Sequence, residues 1–147
     1  LNQQASDTRE MTVADLMSKS LHTADPDHTI REAYAAMRVS RIRHLPVLDP
    51  STGKLLGIVS DRDIHLGWSL GPKARVSEVM TRHMQWVHPE TPARDAAARM
   101  LHNKIGCLPV VDVKERRVVG IVTETDFLEV AHRALTILPA LSAPDED

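Results

Sequence analysis

Val13 through Asp63 can be laid over Val76 through Asp126 without a gap, and this internal repeat constrains the fold more than any single motif. LPVLD at 45–49 returns as LPVVD at 108–112, and GIVSDRD at 57–63 returns as GIVTETD at 120–126. A fixed period of this kind means that one supersecondary unit is built twice. A site present in one copy is therefore expected in both, and each difference between copies carries information.

The chain has 147 residues and is 42% hydrophobic but only 3% aromatic. Either half alone, at about 55 residues, buries too little surface to be stable, so the halves are expected to pack on each other. A net charge of -2 with interspersed signs lacks the basic footprint of a nucleic-acid binder. No apolar run in the sequence suggests a membrane span, and the polar stretch Leu1 to Glu10 does not read as a secretory leader. The single Cys107 excludes an intramolecular disulfide and fits a reducing, cytoplasmic setting. A start at Leu1 rather than Met leaves open a processed or truncated N-terminus.

Within each copy the pattern reads β-α-β-β-α. Leu21 to Ala24 is a brief extended stretch before a turn at Asp25-Pro26-Asp27. Thr29 and Glu32 have capping-box spacing, and Ile30, Ala33, Tyr34 and Met37 then share one helical face. The second copy repeats that stripe as Ala93, Ala96, Ala97 and Met100. Leu45–Leu48 and Leu55–Val59 read as strands around a turn at Asp49 to Gly53, with Pro46 confined to a strand start or an edge. A last helix opens near Asp61, and its counterpart runs on through Phe127, Val130, Ala131 and Leu135. The expected organisation is a disordered segment 1–10, a first repeat 11–66, a linker 67–74, a second repeat 75–137 and a tail 138–147, in an α/β (α+β) fold.

Chemistry is concentrated at Ser60-Asp61-Arg62-Asp63 and Thr123-Glu124-Thr125-Asp126. A hydroxyl where a strand gives way to a helix lies beside free backbone N–H groups, an arrangement that favours an anion such as phosphate. A carboxylate three residues on is acceptor-only and suits the paired hydroxyls of a ribose. The same spacing is also a capping box, in which both side chains satisfy their own backbone. The two roles are compatible.

An extended stretch and turn around a Pro, a helix ending in Met, then LPVhD and GIV[ST]xxD, twice over, resembles a tandem cystathionine β-synthase (CBS) domain pair, or Bateman module. The resemblance covers residues 11 to about 130. IRHLPV, SDRD, IGCLPVVD and TETD are similar in wording to stand-alone bacterial CBS-pair proteins of the acetoin-utilisation type. The resemblance implies two repeats packed with pseudo-twofold symmetry as a regulatory, non-enzymatic module. Its ligand would be an adenine nucleotide (AMP, ADP or ATP), with S-adenosylmethionine or NAD as alternatives, held in the cleft between repeats.

By the same resemblance Ser60, Asp63, Thr123 and Asp126 are the ribose-phosphate residues, and basic residues just before LPV lie near the phosphates. Arg43-His44 in the first copy becomes Gly106-Cys107 in the second, so cations are expected in the first site. The other reading makes Arg43 a solvated surface residue and His44 a packed one. Arg62 is a further phosphate candidate or an ordinary solvent-facing residue. Thr23-Ala24 and Trp86-Val87 would line the purine pockets, with Trp86 either stacking on a base or filling its pocket and so placing the second site in doubt. A homodimer and a regulated protein partner are implied as well. The competing function is a scaffold whose cleft is vestigial and whose helical faces assemble subunits or dock a partner.

Motifs for phosphate hydrolysis, dinucleotide binding, zinc chemistry and acyl transfer are missing from the sequence. The eight histidines are scattered without metal-ligand spacing, and Cys107 has no nearby His in sequence.

Overall fold

The computed structural model describes residues 9–140; the expected disordered segment 1–10 and tail 138–147 lie largely outside them. The first copy contributes α1 (Val13–Leu16), α2 (Ile30–Ser40), β1 (His44–Leu48), β2 (Leu55–Ser60) and α3 (Asp61–Gly67), followed by a 3-10 turn at Trp68–Leu70. The second contributes α4 (Val76–Val79), α5 (Ala93–Asn103), β3 (Cys107–Asp112), β4 (Arg117–Thr123) and α6 (Glu124–Ile137).

The local causes are those of the sequence pattern. Thr29 Oγ1 accepts the Glu32 N–H at 3.1 Å to open α2, and Ile30, Ala33 and Met37 form its buried stripe. The helix stops at Arg41, whose φ of 55° is left-handed, and α5 stops the same way at Lys104. Each copy pairs its two strands antiparallel, β1 with β2 and β3 with β4. The mixed helix-and-strand class is as expected.

The opening strand of each unit differs from expectation. It is reduced to a single parallel bridge, Ala24 to Val47 and Val87 to Val110. Ala24 donates its N–H to the Pro46 carbonyl at 2.9 Å and accepts from the Leu48 N–H at 3.0 Å. Pro46 has no N–H to extend this edge, and the turn at Asp25 follows at once.

The two copies exchange their first segments. Val13 of α1 is buried with Val87, Ala96, Met100, Leu108, Val110 and Val122 of the second copy. Val76 of α4 is likewise buried with Ile30, Ala33, Met37, Leu45, Val47 and Val59 of the first. Ser18 then pairs with Ile121 on β4, and Thr81 pairs with Ile58 on β2. The bonds mirror each other: Ser18 N–H to Ile121 O at 2.9 Å, Thr81 N–H to Ile58 O at 2.8 Å. Each core thus draws on both repeats, which answers the shortage of apolar surface in one half. Among the described residues no helix is long and apolar enough to cross a membrane.

Candidate ligand cleft

Strand β4 ends at Thr123 and α6 begins at the next residue. The Thr123 N–H and hydroxyl both point at Asp126 Oδ2, at 2.8 and 3.3 Å. In the first copy the Ser60 N–H donates to Asp63 Oδ2 at 2.9 Å, and Ser60 Oγ accepts the Asp63 N–H at 3.0 Å. The capping role of both pairs is therefore present. Each carboxylate spends one oxygen on it, while Oδ1 carries no hydrogen bond among the described residues. Capping fixes the carboxylate and leaves an acceptor over.

Beside Thr123 and Asp126 opens a cleft of about 540 Å³. Its walls come from both copies: Ser18, Ser20 and His22 from the exchanged segment, Arg41, Ile42, Arg43 and His44 from the end of α2 and start of β1, and Gly106, Ile121, Glu124 and Thr125 from the second copy. This volume is in the range of small-ligand sites. A larger hollow of about 770 Å³ runs along the outer face of α6, past Leu128, His132 and Leu135. Thr125, Glu129 and Arg133 border it too, but it draws on α6 alone, so the inner cleft walled by both copies is the better candidate.

The pairing of cations with carboxylates differs from the sequence expectation. Arg43 and His44 line the cleft of Thr123 and Asp126 in the opposite copy, while Asp61 and Asp63 of their own copy also lie close enough to act on the His44 ring. The reason lies at the seam between repeats. Within each copy the strand start is tied to the helix that follows, Asp61 N–H to the Arg43 carbonyl at 2.9 Å and Glu124 N–H to the Gly106 carbonyl at 3.2 Å. A methyl group at Gly106 would stand 3.2 Å from His44 Cε1 and Nε2. Side chains at the start of β1 thus reach the opposite copy's site.

Ser60 and Asp63 are half-buried and Arg62 is exposed at the start of α3, outside this cleft's lining. Thr23 is exposed, whereas Ala24 and Val87 are core residues. Trp86 fills no core: it is 44% exposed, lies edge-on to His88 at 4.9 Å, and its carbonyl accepts from Arg99 Nη1 at 3.2 Å. The lining residues Ser18, Ser20, His22 and Arg41 carried no signal in the sequence, because their place depends on the segment exchange.

Burial lowers the pKa of His44, partly offset by the carboxylates of Asp61, Glu124 and Asp63, with Arg43 adding to the lowering. Burial raises that of Asp126 against the opposing Thr123 hydrogen bonds, and Glu129 adds to the rise. The Cys107 thiol is pushed up to about 12, first by burial and then by Asp63 and Glu124, which makes it an inert core group. Among the described residues no cluster of three or more His, Cys, Asp or Glu could hold a metal ion.

The model of the CBS domain matches residues 13–65 and 76–133. The chain belongs to the CBS domain family. A CBS domain-containing protein of Dictyostelium discoideum is 33% identical over 146 residues, spanning 90% of this chain and 99% of the relative. The L-aspartate semialdehyde sulfurtransferase of Methanocaldococcus jannaschii is 39% identical over 78% of this chain, but the match spans only 22% of that enzyme. Among solved structures, the CBS domain pair of protein MJ0100 in complex with 5′-methylthioadenosine and S-adenosyl-L-methionine superimposes with a TM-score of 0.78 at 35% identity, covering 86% of this chain and 99% of that one. An acetoin utilization protein from Vibrio cholerae gives a TM-score of 0.76 at 36% identity, covering 88% and 96%. CBSX2 in complex with AMP gives a TM-score of 0.71 at 28% identity, covering 84% and 98%. The chain is a tandem CBS pair, and two of these neighbouring pairs are seen in complex with adenosyl compounds.

Proposed function

We propose that this CBS pair is a regulatory module, not an enzyme, which binds an adenine nucleotide such as AMP, ADP or ATP in the cleft beside Asp126. The observation that carries the reading is convergence: Asp126, which has one carboxylate oxygen not used by its cap, lines one cleft with Arg41 and Arg43. Carboxylate for sugar and guanidinium for phosphate is a division of labour that a phosphorylated nucleoside satisfies at both ends. A sulfonium ligand such as S-adenosylmethionine brings positive charge to the same arginines, and NAD brings a longer pyrophosphate, so both rank behind.

The test is calorimetric. Arg43→Ala should weaken AMP by about 10- to 100-fold, the equivalent of one charge-assisted hydrogen-bonded contact, and adenosine by no more than about threefold. Equal losses for the two compounds would remove Arg43 from phosphate recognition.

The scaffold reading has its own observation in the exposed apolar side chains of the outer helical faces, among them Leu66, Trp68, Leu128, Leu135 and Ile137. Flat thermal shifts with every adenosyl compound at millimolar concentration would favour it. These faces also fit a second copy of the chain, and we expect a cytoplasmic homodimer that passes ligand occupancy to a regulated protein partner. Light scattering at micromolar concentration should return twice the chain mass of 16.3 kDa, and a monomer mass refutes the dimer.

A further inference from the structure

His44 is the one titratable ring in the cleft that also sits on the seam between repeats. It is half-buried and lines the cleft with Arg43 and Asp126. No hydrogen bond among the described residues engages its ring nitrogens. No buried polar side-chain atom among the described residues lacks a hydrogen-bond partner, so the ring nitrogens are open to the cleft, where a ligand can take the place of solvent. The second copy puts Cys107 at the matching position, so the device exists once per chain.

The charged groups that act on the ring come from α3, α6 and the start of β1, and His22, Arg41 and Asp126 line the same cleft. Asp61 and Asp63 face it from α3, Glu124 from α6, and Arg43 from the residue before it. Three carboxylates favour the imidazolium, yet burial outweighs them and keeps the ring neutral at neutral pH. An anion seated against the ring adds a further negative charge, which shifts the balance toward the imidazolium.

We propose that His44 is a proton-linked specificity residue: as the anionic group of a nucleotide seats beside Arg43, the imidazole takes one proton from solvent and selects phosphorylated ligands over uncharged ones as pH falls. The inference rests on the nucleotide reading above. The sign follows from linkage. A ring pKa raised by the ligand gives extra affinity that is fully present below the free-protein value and lost as pH rises through the complexed value. The free value lies below 6.5, so the gain grows as pH falls from about 8 to 6.

The measurement is AMP affinity at pH 6 and pH 8 for the wild type and for His44→Gln, whose amide bonds but does not titrate. The wild-type ratio of affinities should exceed that of H44Q by about three- to fivefold, the effect between pH 6 and 8 of about one unit of rise from a lowered free value. Ionisation of the AMP phosphate near pH 6 acts on both proteins alike and cancels in this comparison. Adenosine should show no such difference. A second readout does not depend on the variant folding: the imidazole resonances of His44 in the wild type should titrate at higher pH when AMP saturates the cleft. Equal ratios in the two proteins, or an unmoved His44 titration in the saturated complex, overturns the inference while leaving nucleotide binding intact. An absence of AMP binding to the wild type at either pH overturns the nucleotide reading and this inference together.

Discussion

Replacing Asp126 with asparagine should weaken AMP binding by about 10- to 100-fold and erase most of the preference for AMP over 2′-deoxy-AMP. The argument starts from the division of labour within the carboxylate. Oδ2 accepts the Thr123 N–H at 2.8 Å and holds the start of α6, while Oδ1 carries no bond of its own. An asparagine carbonyl keeps the cap, which is worth about 1 kcal/mol, so the fold stays intact. Its NH2 group replaces the spare acceptor with a donor and removes the charge. A charged hydrogen bond contributes about 1.5–3 kcal/mol, which is the source of the expected factor. Asp63→Asn supplies the comparison, because Asp63 caps α3 in the same manner but does not line this cleft. A larger loss from D63N than from D126N, measured by calorimetry with both proteins equally stable, would place the ligand in the other crevice.

The reason this comparison is needed shows what the sequence could convey. The duplicated LPV and GIV strings were legible as strands because each carries apolar residues in a short run bounded by turns, and they became β1 to β4. The S-x-x-D and T-x-x-D starts were legible as helix caps and are caps. Local chemistry decides such features. The exchange of α1 and α4 between copies was not legible, since Ser18-Lys19-Ser20 and Thr81-Arg82-His83 are polar and aperiodic. Their partners are chosen by Val13 and Val76, each buried in the opposite core. Which cation meets which carboxylate follows from the approach of His44 to Gly106 across the seam, so Arg43 could be read as a basic candidate and not as a wall of the second copy's cleft. Trp86 shows the same limit in reverse. Its size suggested a pocket, and the structure places it 44% exposed and edge-on to His88.

Gly57 and Gly120 are where the exchange is most vulnerable, and Gly57→Ala or Gly120→Ala should each lower the melting temperature by about 5–10 °C. A methyl group at Gly57 would lie 2.7 Å from the Thr81 carbonyl oxygen; at Gly120 it would lie 2.8 Å from both the Ser18 carbonyl oxygen and Met17 Sδ. The obstacle at both sites includes a backbone oxygen already bonded to the next residue of the strand, at 2.9 Å to Ile58 N and 3.2 Å to Ile121 N. A methionine tail can swing aside; a bridged main chain must move as a unit. Overpacking of this kind costs about 1–3 kcal/mol, and each kcal/mol is worth about 2–4 °C in a chain of this size. Gly53→Ala is the control. An alanine held at its φ of 73° would be strained, but open space surrounds the added Cβ, so any loss there reports backbone conformation alone. The two close-contact variants should also separate in function. Ser18 and Ile121 line the cleft beside Asp126, whereas Ile58 and Thr81 do not, so G120A should weaken AMP more than G57A at equal loss of stability. Equal effects on binding would mean that the exchanged segment holds the repeats together without shaping the site.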